Sequence, residues 1–225
     1  MKKKKPAIED LLKIMARLRS PTGCPWDREQ SHQTLRWHAV EEVYELMDAI
    51  EAGDDHEMVE ELGDLLLQVV FHCQLAGERG AFDFEKVARL ISDKLVRRHP
   101  HVFGDTKVKD VDQVWANWEK IKRAEKHGTR HERPSVLDGI PKHLPALLRA
   151  EKLVKKARRA KLLPDAAGRR GMNRKKMGQT LFELAREAQG KGWSAEDLLR
   201  AETLRHEKTW RKAEAAKASM SGSPG

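Results

Sequence analysis

Apolar positions recur along this chain with the period of a helix. Residues 8–18, IEDLLKIMARL, place apolar side chains at i, i+3, i+4 and i+7, which predicts a one-sided helix. SPTGCPWD then breaks the pattern with two prolines and a glycine. A second helix is predicted from about Thr34 to Ala52, stopped by Gly53. Asp54-Asp55 can cap a third, roughly residues 56–78, which ends near Gly77 or Gly80. A fourth begins near Asp83 and ends before His99-Pro100, because a residue preceding proline is pushed out of the helical region. A fifth covers about Val111–Lys126. No stretch shows convincing strand alternation, so the expected fold class is all-α.

The third of these helices carries the first chemical hint. From Leu65 to Ala76 it reads LLLQVVFHCQLA, apolar almost all round, which predicts enclosure on several sides. On a wheel of about 100° per residue, Asp64 shares a stripe with Leu67, Phe71 and Glu60. A lone carboxylate in such a stripe is costly unless it is paired or bound to a metal. In the second helix, Glu42 and Glu45 border the apolar arc of Val40, Val43, Leu46, Met47 and Ile50, while Glu41, Asp48 and Glu51 turn toward water.

A short turn joins the two helices, so they should pack antiparallel and aim Glu42, Glu45, Glu61 and Asp64 into one space. Four uncompensated anions repel; a hard divalent cation with oxygen ligands, Mg²⁺ or Mn²⁺, relieves them. His56 and His72 do not stand at a good zinc spacing. Any one of these glutamates, taken singly, reads as an ordinary solvated side chain. The set is singled out by Asp64 within the apolar stripe and by the cations that follow. Lys94, Arg97, Arg98 and His99 end the fourth helix, and Lys120, Lys122 and Arg123 lie on the fifth beside Trp115 and Trp118. A carboxylate-held metal facing Lys and Arg suits a polyphosphate. A nearby tryptophan can stack on a base or simply pack in a core.

Composition narrows the class. Of 225 residues 39% are hydrophobic and 35% charged, which suits a soluble, helix-rich protein with a modest core. No apolar run approaches the ~20 residues that span a bilayer, and the start, MKKKKPAIEDLL, has no apolar signal stretch. The two cysteines, Cys24 and Cys73, form neither a metal-type pair nor a disulfide scaffold. A cytoplasmic protein without membrane attachment is expected. Residues 1–126 carry 21 Lys/Arg against 24 Asp/Glu, whereas residues 127–225 carry 23 against 11, a net +12. Such a split suits a nucleic-acid partner, two complementary halves, or a phosphorylated ligand. Interspersed acids and a single aromatic-basic cluster do not favour a dedicated nucleic-acid groove.

The run GCPWD…EEVYELMDAI…EELGDLLLQVVFHCQ…FDFEKV…ISDKLVRRHPHVFGD…WEKIK closely resembles the MazG nucleoside triphosphate pyrophosphohydrolases over roughly residues 8–126. DGIPKHLPALLRAEKLVKKA continues the likeness to about residue 157. The resemblance implies an all-α NTP pyrophosphatase bundle whose metal is held by Glu42, Glu45, Glu61 and Asp64, the four already selected. It further implies that Lys94 and Arg98, with Arg97 beside them, meet a triphosphate, and that Trp118 and Lys122 lie at the nucleotide. The implied reaction splits a nucleoside triphosphate into monophosphate and pyrophosphate, with Glu41 or Glu45 orienting or deprotonating the attacking water.

A second copy begins and then departs from the pattern. KMGQTLF lies against ELGDLLL and EKTWRK against DKLVRR, so Lys176 stands where Glu61 does and Gln179 where Asp64 does. No EExxE helix precedes it; PDAAGRRGMNRKK stands near its place. The expected organisation is a catalytic helical domain at 1–126, a linker at 127–145, a shortened and metal-free second repeat at 146–212, and a small polar, disordered tail at 213–225. A homodimer is expected, because helix 56–78 has more apolar surface than one repeat can cover. The competing readings are a nucleic-acid-binding or regulatory protein using the basic half, and a helical adaptor whose site is a relic.

Overall fold

Gly53 and Asp54 make the turn on which the candidate site depends. Gly53 ends the preceding helix at φ +69°, a left-handed conformation that L side chains rarely adopt. The Asp54 carboxylate then accepts from the backbone N–H groups of His56 and Glu57 and caps the next helix. A two-residue turn between two long helices folds them into a hairpin.

The computed structural model describes residues 6–130, 132–163 and 172–221. The lysines at 2–5, His131 of the expected linker, the PDAAGRRG segment at 164–171 and the last four residues lie outside the described residues. Eleven helices are found among the described residues, and no strand. They are α1 (Ala7–Leu18), α2 (Pro25–Glu29), α3 (His32–Leu35), α4 (His38–Ala52), α5 (Asp55–Glu78) and α6 (Phe84–Arg98), followed by α7 (Pro100–Phe103), α8 (Val111–Ala124), α9 (Ala146–Arg159), α10 (Arg174–Gly190) and α11 (Ala195–Ser221). The all-α expectation holds. The helix expected from Thr34 is broken at Arg36-Trp37 into α3 and α4, and the proline-rich break contains the short α2. None of these helices is long and apolar enough to cross a membrane.

The chain divides into two units, residues 1–115 and 116–225, with α8 crossing the division. In the first unit α5 is the central rod, against which α1, α3, α4 and α6 pack. Its core is Met15, Leu35, Val70 and Phe71, surrounded by Ile8, Leu11, Leu12, Leu67, Leu75 and Phe84. Arg19, at the end of α1, makes a two-pronged contact with Glu78 at the end of α5, at 2.6 and 2.7 Å. These hydrogen bonds hold the Glu78 carboxyl below its ordinary range against the opposing effect of burial. Gly23 of GCPWD is required by close approach, because a Cβ there would lie 2.0 Å from the Leu18 carbonyl oxygen.

In the second unit α9 and α11 pack together around Leu137, Leu153, Ala157 and Trp210. Leu137 comes from the segment read as a linker and is fully buried. The tail read as beginning at residue 213 continues α11 to Ser221. Glu214 there accepts from the Ser135 hydroxyl at 2.5 Å and the Val136 N–H at 2.8 Å.

The apolar faces are distributed differently from what periodicity alone implies. On α4 the arc Val40, Val43, Met47 and Ile50 is exposed, and the buried residue is Ala49. On α5, Val70, Phe71, Cys73 and Ala76 are buried, but Val59, Leu62, Leu66 and Val69 are exposed. Among the described residues, helix α5 is therefore covered on one side only, not on several.

Candidate metal centre

Helix α4 supplies Glu42 and Glu45 from adjacent turns, and α5 supplies Glu61 and Asp64. Glu42, Glu45 and Glu61 each offer a carboxylate oxygen such that all three lie within 4.8 Å of one another. Asp64 is half-buried on the same stripe and its charge acts on both Glu42 and Glu61. Glu45 is the exposed member; Glu42 and Glu61 are half-buried. The pairing of Glu45 with Glu61 and of Glu42 with Asp64 is that of an antiparallel hairpin turning at Gly53.

The electrostatics of the cluster favour protonation of two of its members. Burial raises the Glu42 carboxyl above its ordinary value of 4.5, opposed by a hydrogen bond from Gln68 and reinforced by Asp64 and Glu45. Burial also raises Glu61, and then Glu45, Asp64, Glu42 and Glu60 push it further in the same direction. Three hard oxygen donors from two packed helices, held against their own repulsion, fit a divalent cation.

Each remaining sequence candidate has a defined position. Glu41 points outward and its carboxylate lies 3.7 Å from His38 Nδ1, outside the cluster. Lys94, Arg97 and Arg98 lie on the second half of α6, which packs on α5. Trp118 and Lys122 lie on α8 within the second unit, where the Lys122 ammonium stands 5.6 Å from the centre of the Trp118 ring and 3.2 Å from Glu119. His72 takes no part in the acid cluster. It stacks on His32 with 2.8 Å between their Nδ1 atoms, and burial followed by the His32 neighbour lowers its pKa.

The sequence reading passed over Gln68. It is 7% exposed and its Nε2 donates to Glu42 Oε1 at 3.1 Å. The available signal was one amide within the apolar run LLLQVVF, seven residues beyond Glu61 and so on nearly the same line of the helix.

Fold and site together define an all-α protein with a clustered acid centre on an antiparallel helix pair. Residues 30–103 match the MazG nucleotide pyrophosphohydrolase domain. The chain is 50% identical over 150 residues to the nucleoside triphosphate pyrophosphohydrolase of Escherichia coli K12, covering 66% of this chain and 56% of that protein. It is 52% identical over 142 residues to the uncharacterized protein YabN of Bacillus subtilis, covering 63% of this chain and 28% of that one. It is also 43% identical over 196 residues to an uncharacterized 26.1 kDa protein of Streptomyces cacaoi, covering 85% and 76% of the two chains. This chain belongs to the MazG family. It spans about half the length of the named pyrophosphohydrolases it matches.

Proposed function

We propose that this protein hydrolyses nucleoside triphosphates, ribo or deoxy, to the monophosphate and pyrophosphate, using Mg²⁺ or Mn²⁺. The observation that carries the reading is the cluster of Glu42, Glu45 and Glu61, whose carboxylate oxygens lie within 4.8 Å of one another. Asp64 joins them as a fourth ligand through its place on the α5 stripe.

A bound Mg²⁺ supplies charge neutralisation to phosphate oxygens and acidifies water. Glu42, Glu45, Glu61 and Asp64 would hold it, and Glu45, the exposed member, would take the proton from the attacking water. The water oxygen bonds to the α-phosphorus as the bond from that phosphorus to the bridging oxygen breaks, and pyrophosphate departs with the bonding pair. Lys94, Arg97 and Arg98 take up charge on the departing phosphates. For the nucleoside we propose Trp118 and Lys122, an aromatic face with a cation against it.

We further propose a homodimer. The exposed stripes Val43, Met47 and Ile50 on α4 and Val59, Leu62, Leu66 and Val69 on α5 form a larger apolar surface than scattered single residues would make. Leu62→Lys is expected to yield monomers in sedimentation equilibrium. The protein acts in the cytoplasm on this reading, consistent with two free thiols, one of them buried.

The deciding experiment is a panel of ribo- and deoxynucleoside triphosphates with Mg²⁺, scoring pyrophosphate against orthophosphate. Pyrophosphate release by the wild-type chain, lost in Asp64→Asn, supports the reading. Orthophosphate alone, or full activity in Asp64→Asn, overturns it.

A further inference from the structure

Gln68 sits on α5 four residues beyond Asp64 and seven beyond Glu61, in line with the acid cluster. It is among the few buried polar side chains of the described residues, and Val70 and Phe71, two and three residues further on, belong to the core. A leucine or methionine would fill such a place without any polar group to satisfy. The amide is kept even though its Oε1 is buried and makes no hydrogen bond, an arrangement that costs free energy. What offsets that cost is the bond from Nε2 to Glu42 Oε1 across the α4–α5 seam, at 3.1 Å. A carboxylate only accepts, so the amide must turn its nitrogen toward Glu42 and its oxygen away. The orphaned acceptor follows directly from that bond.

We propose that Gln68 is a positioning residue for the divalent site: it holds Glu42 in the ligating rotamer before the ion arrives. The inference rests on the metal-centre reading above. Glu42 stands among the like charges of Glu45 and Asp64, and Gln68 donates a hydrogen bond to it from α5. The bond engages one carboxylate oxygen and leaves lone pairs on the carboxylate for a cation. Partners of this kind, outside the ligand set, tune metal affinity by about 10–100-fold.

The test is titration of the full-length chain with Mn²⁺, followed by paramagnetic resonance of the free ion, beside guanidinium unfolding in chelator. Gln68→Met preserves volume and removes the donor. It is expected to weaken Mn²⁺ binding about 10–100-fold with helical content retained. In a Glu42→Gln background the same change is expected to add little, because the residue it acts through is gone. Gln68→Asn, which keeps an amide too short to reach, serves as a second variant and is expected to weaken binding too. Undiminished Mn²⁺ affinity in Gln68→Met and Gln68→Asn overturns this inference alone. An equal loss in both backgrounds overturns it as well, since Gln68 would then act by general packing. Failure of the wild-type chain to bind Mn²⁺ removes the metal-centre reading and this inference together.

Discussion

Two clusters of charge, one in each unit, were solved in opposite ways. In the second unit the buried Arg149 meets Glu207 at 2.6 Å, and Glu207 also meets Arg211 at 2.7 Å, which in turn reaches Asp138 at 2.8 Å. Burial opposes ionisation of Glu207, but hydrogen bonds from Arg211 and Arg149 outweigh it and hold the carboxyl below its ordinary range. In the first unit Glu42 and Glu61 are both raised by burial and by the acids around them. One cluster is neutralised by the chain itself and serves cohesion. The other gathers like charges from two helices, which is the basis of the proposed metal site. If α10 is the second repeat expected from the sequence, the contrast recurs there, with Lys176 and Gln179 in place of Glu61 and Asp64.

The largest expected effect would break the self-neutralised side. Glu207→Ala leaves the Arg149 guanidinium buried without its carboxylate, and denaturant unfolding should show a loss of about 3–5 kcal/mol. A change limited to surface-pair size would show that the second unit does not rely on this network. Next comes the opposite cluster. Glu61→Gln should lower Mg²⁺-dependent pyrophosphate release by about 10²–10³-fold while leaving the metal-free unfolding midpoint unchanged or higher, because one of the mutually repelling anions is gone. A drop in both readouts would assign Glu61 to the fold rather than to the chemistry.

Helix starts supply a control in which the two regions should agree. Asp54 caps α5, and Asn173 caps α10 by accepting from the Lys176 N–H. Alanine at either position should cost about 1 kcal/mol, read by chemical denaturation.

Acidity separates the clusters more gently. Glu42 and Glu61 have folded values above the usual 4.5, so the folded state binds more protons than the unfolded chain in that window. Without metal, their contribution should fall as pH rises from about 4.5 through the raised values, and Glu61→Gln should flatten that slope. Glu207 has the opposite sign: its stabilisation is present above the ordinary carboxyl value and is lost as pH falls through the depressed one. Thermal unfolding of wild type, Glu61→Gln and Glu207→Gln across pH reads both signs. The smallest expected effect is none at all. The double change Lys176→Glu and Gln179→Asp should create no new Mn²⁺ site by calorimetry, because two acids on α10 restore only half of the four-carboxylate set proposed for α4 and α5.

Much of the first unit was legible before any coordinates. Glycine and aspartate at 53 and 54 are local signals, and they stop and start helices where expected. Proline at 100 ended α6 for the same local reason. The four candidate acids could be chosen from spacing alone, and three of them meet within one ion's reach. Less legible was the face of α4 that turns inward. Its apolar arc reads as core by periodicity, yet Glu42 and the small Ala49 face the seam, and Val43, Met47 and Ile50 lie outside. A wheel identifies stripes on one helix; it carries no information about which stripe a neighbour will cover.

The amino-acid order by itself determined the all-α class, the helix stop and cap at Gly53 and Asp54, the end of α6 before Pro100, the family likeness, and the set of carboxylates spaced to share one face. These follow from interactions between residues a few positions apart, where backbone geometry leaves little choice. Only the tertiary structure decided that Gln68 reaches Glu42 from 26 residues away, that Arg149 finds Glu207 across 58, and that Leu137 belongs to a core rather than to a tether. Such pairs depend on how helices approach each other through long loops, and side-chain burial is a property of that approach, not of local spacing.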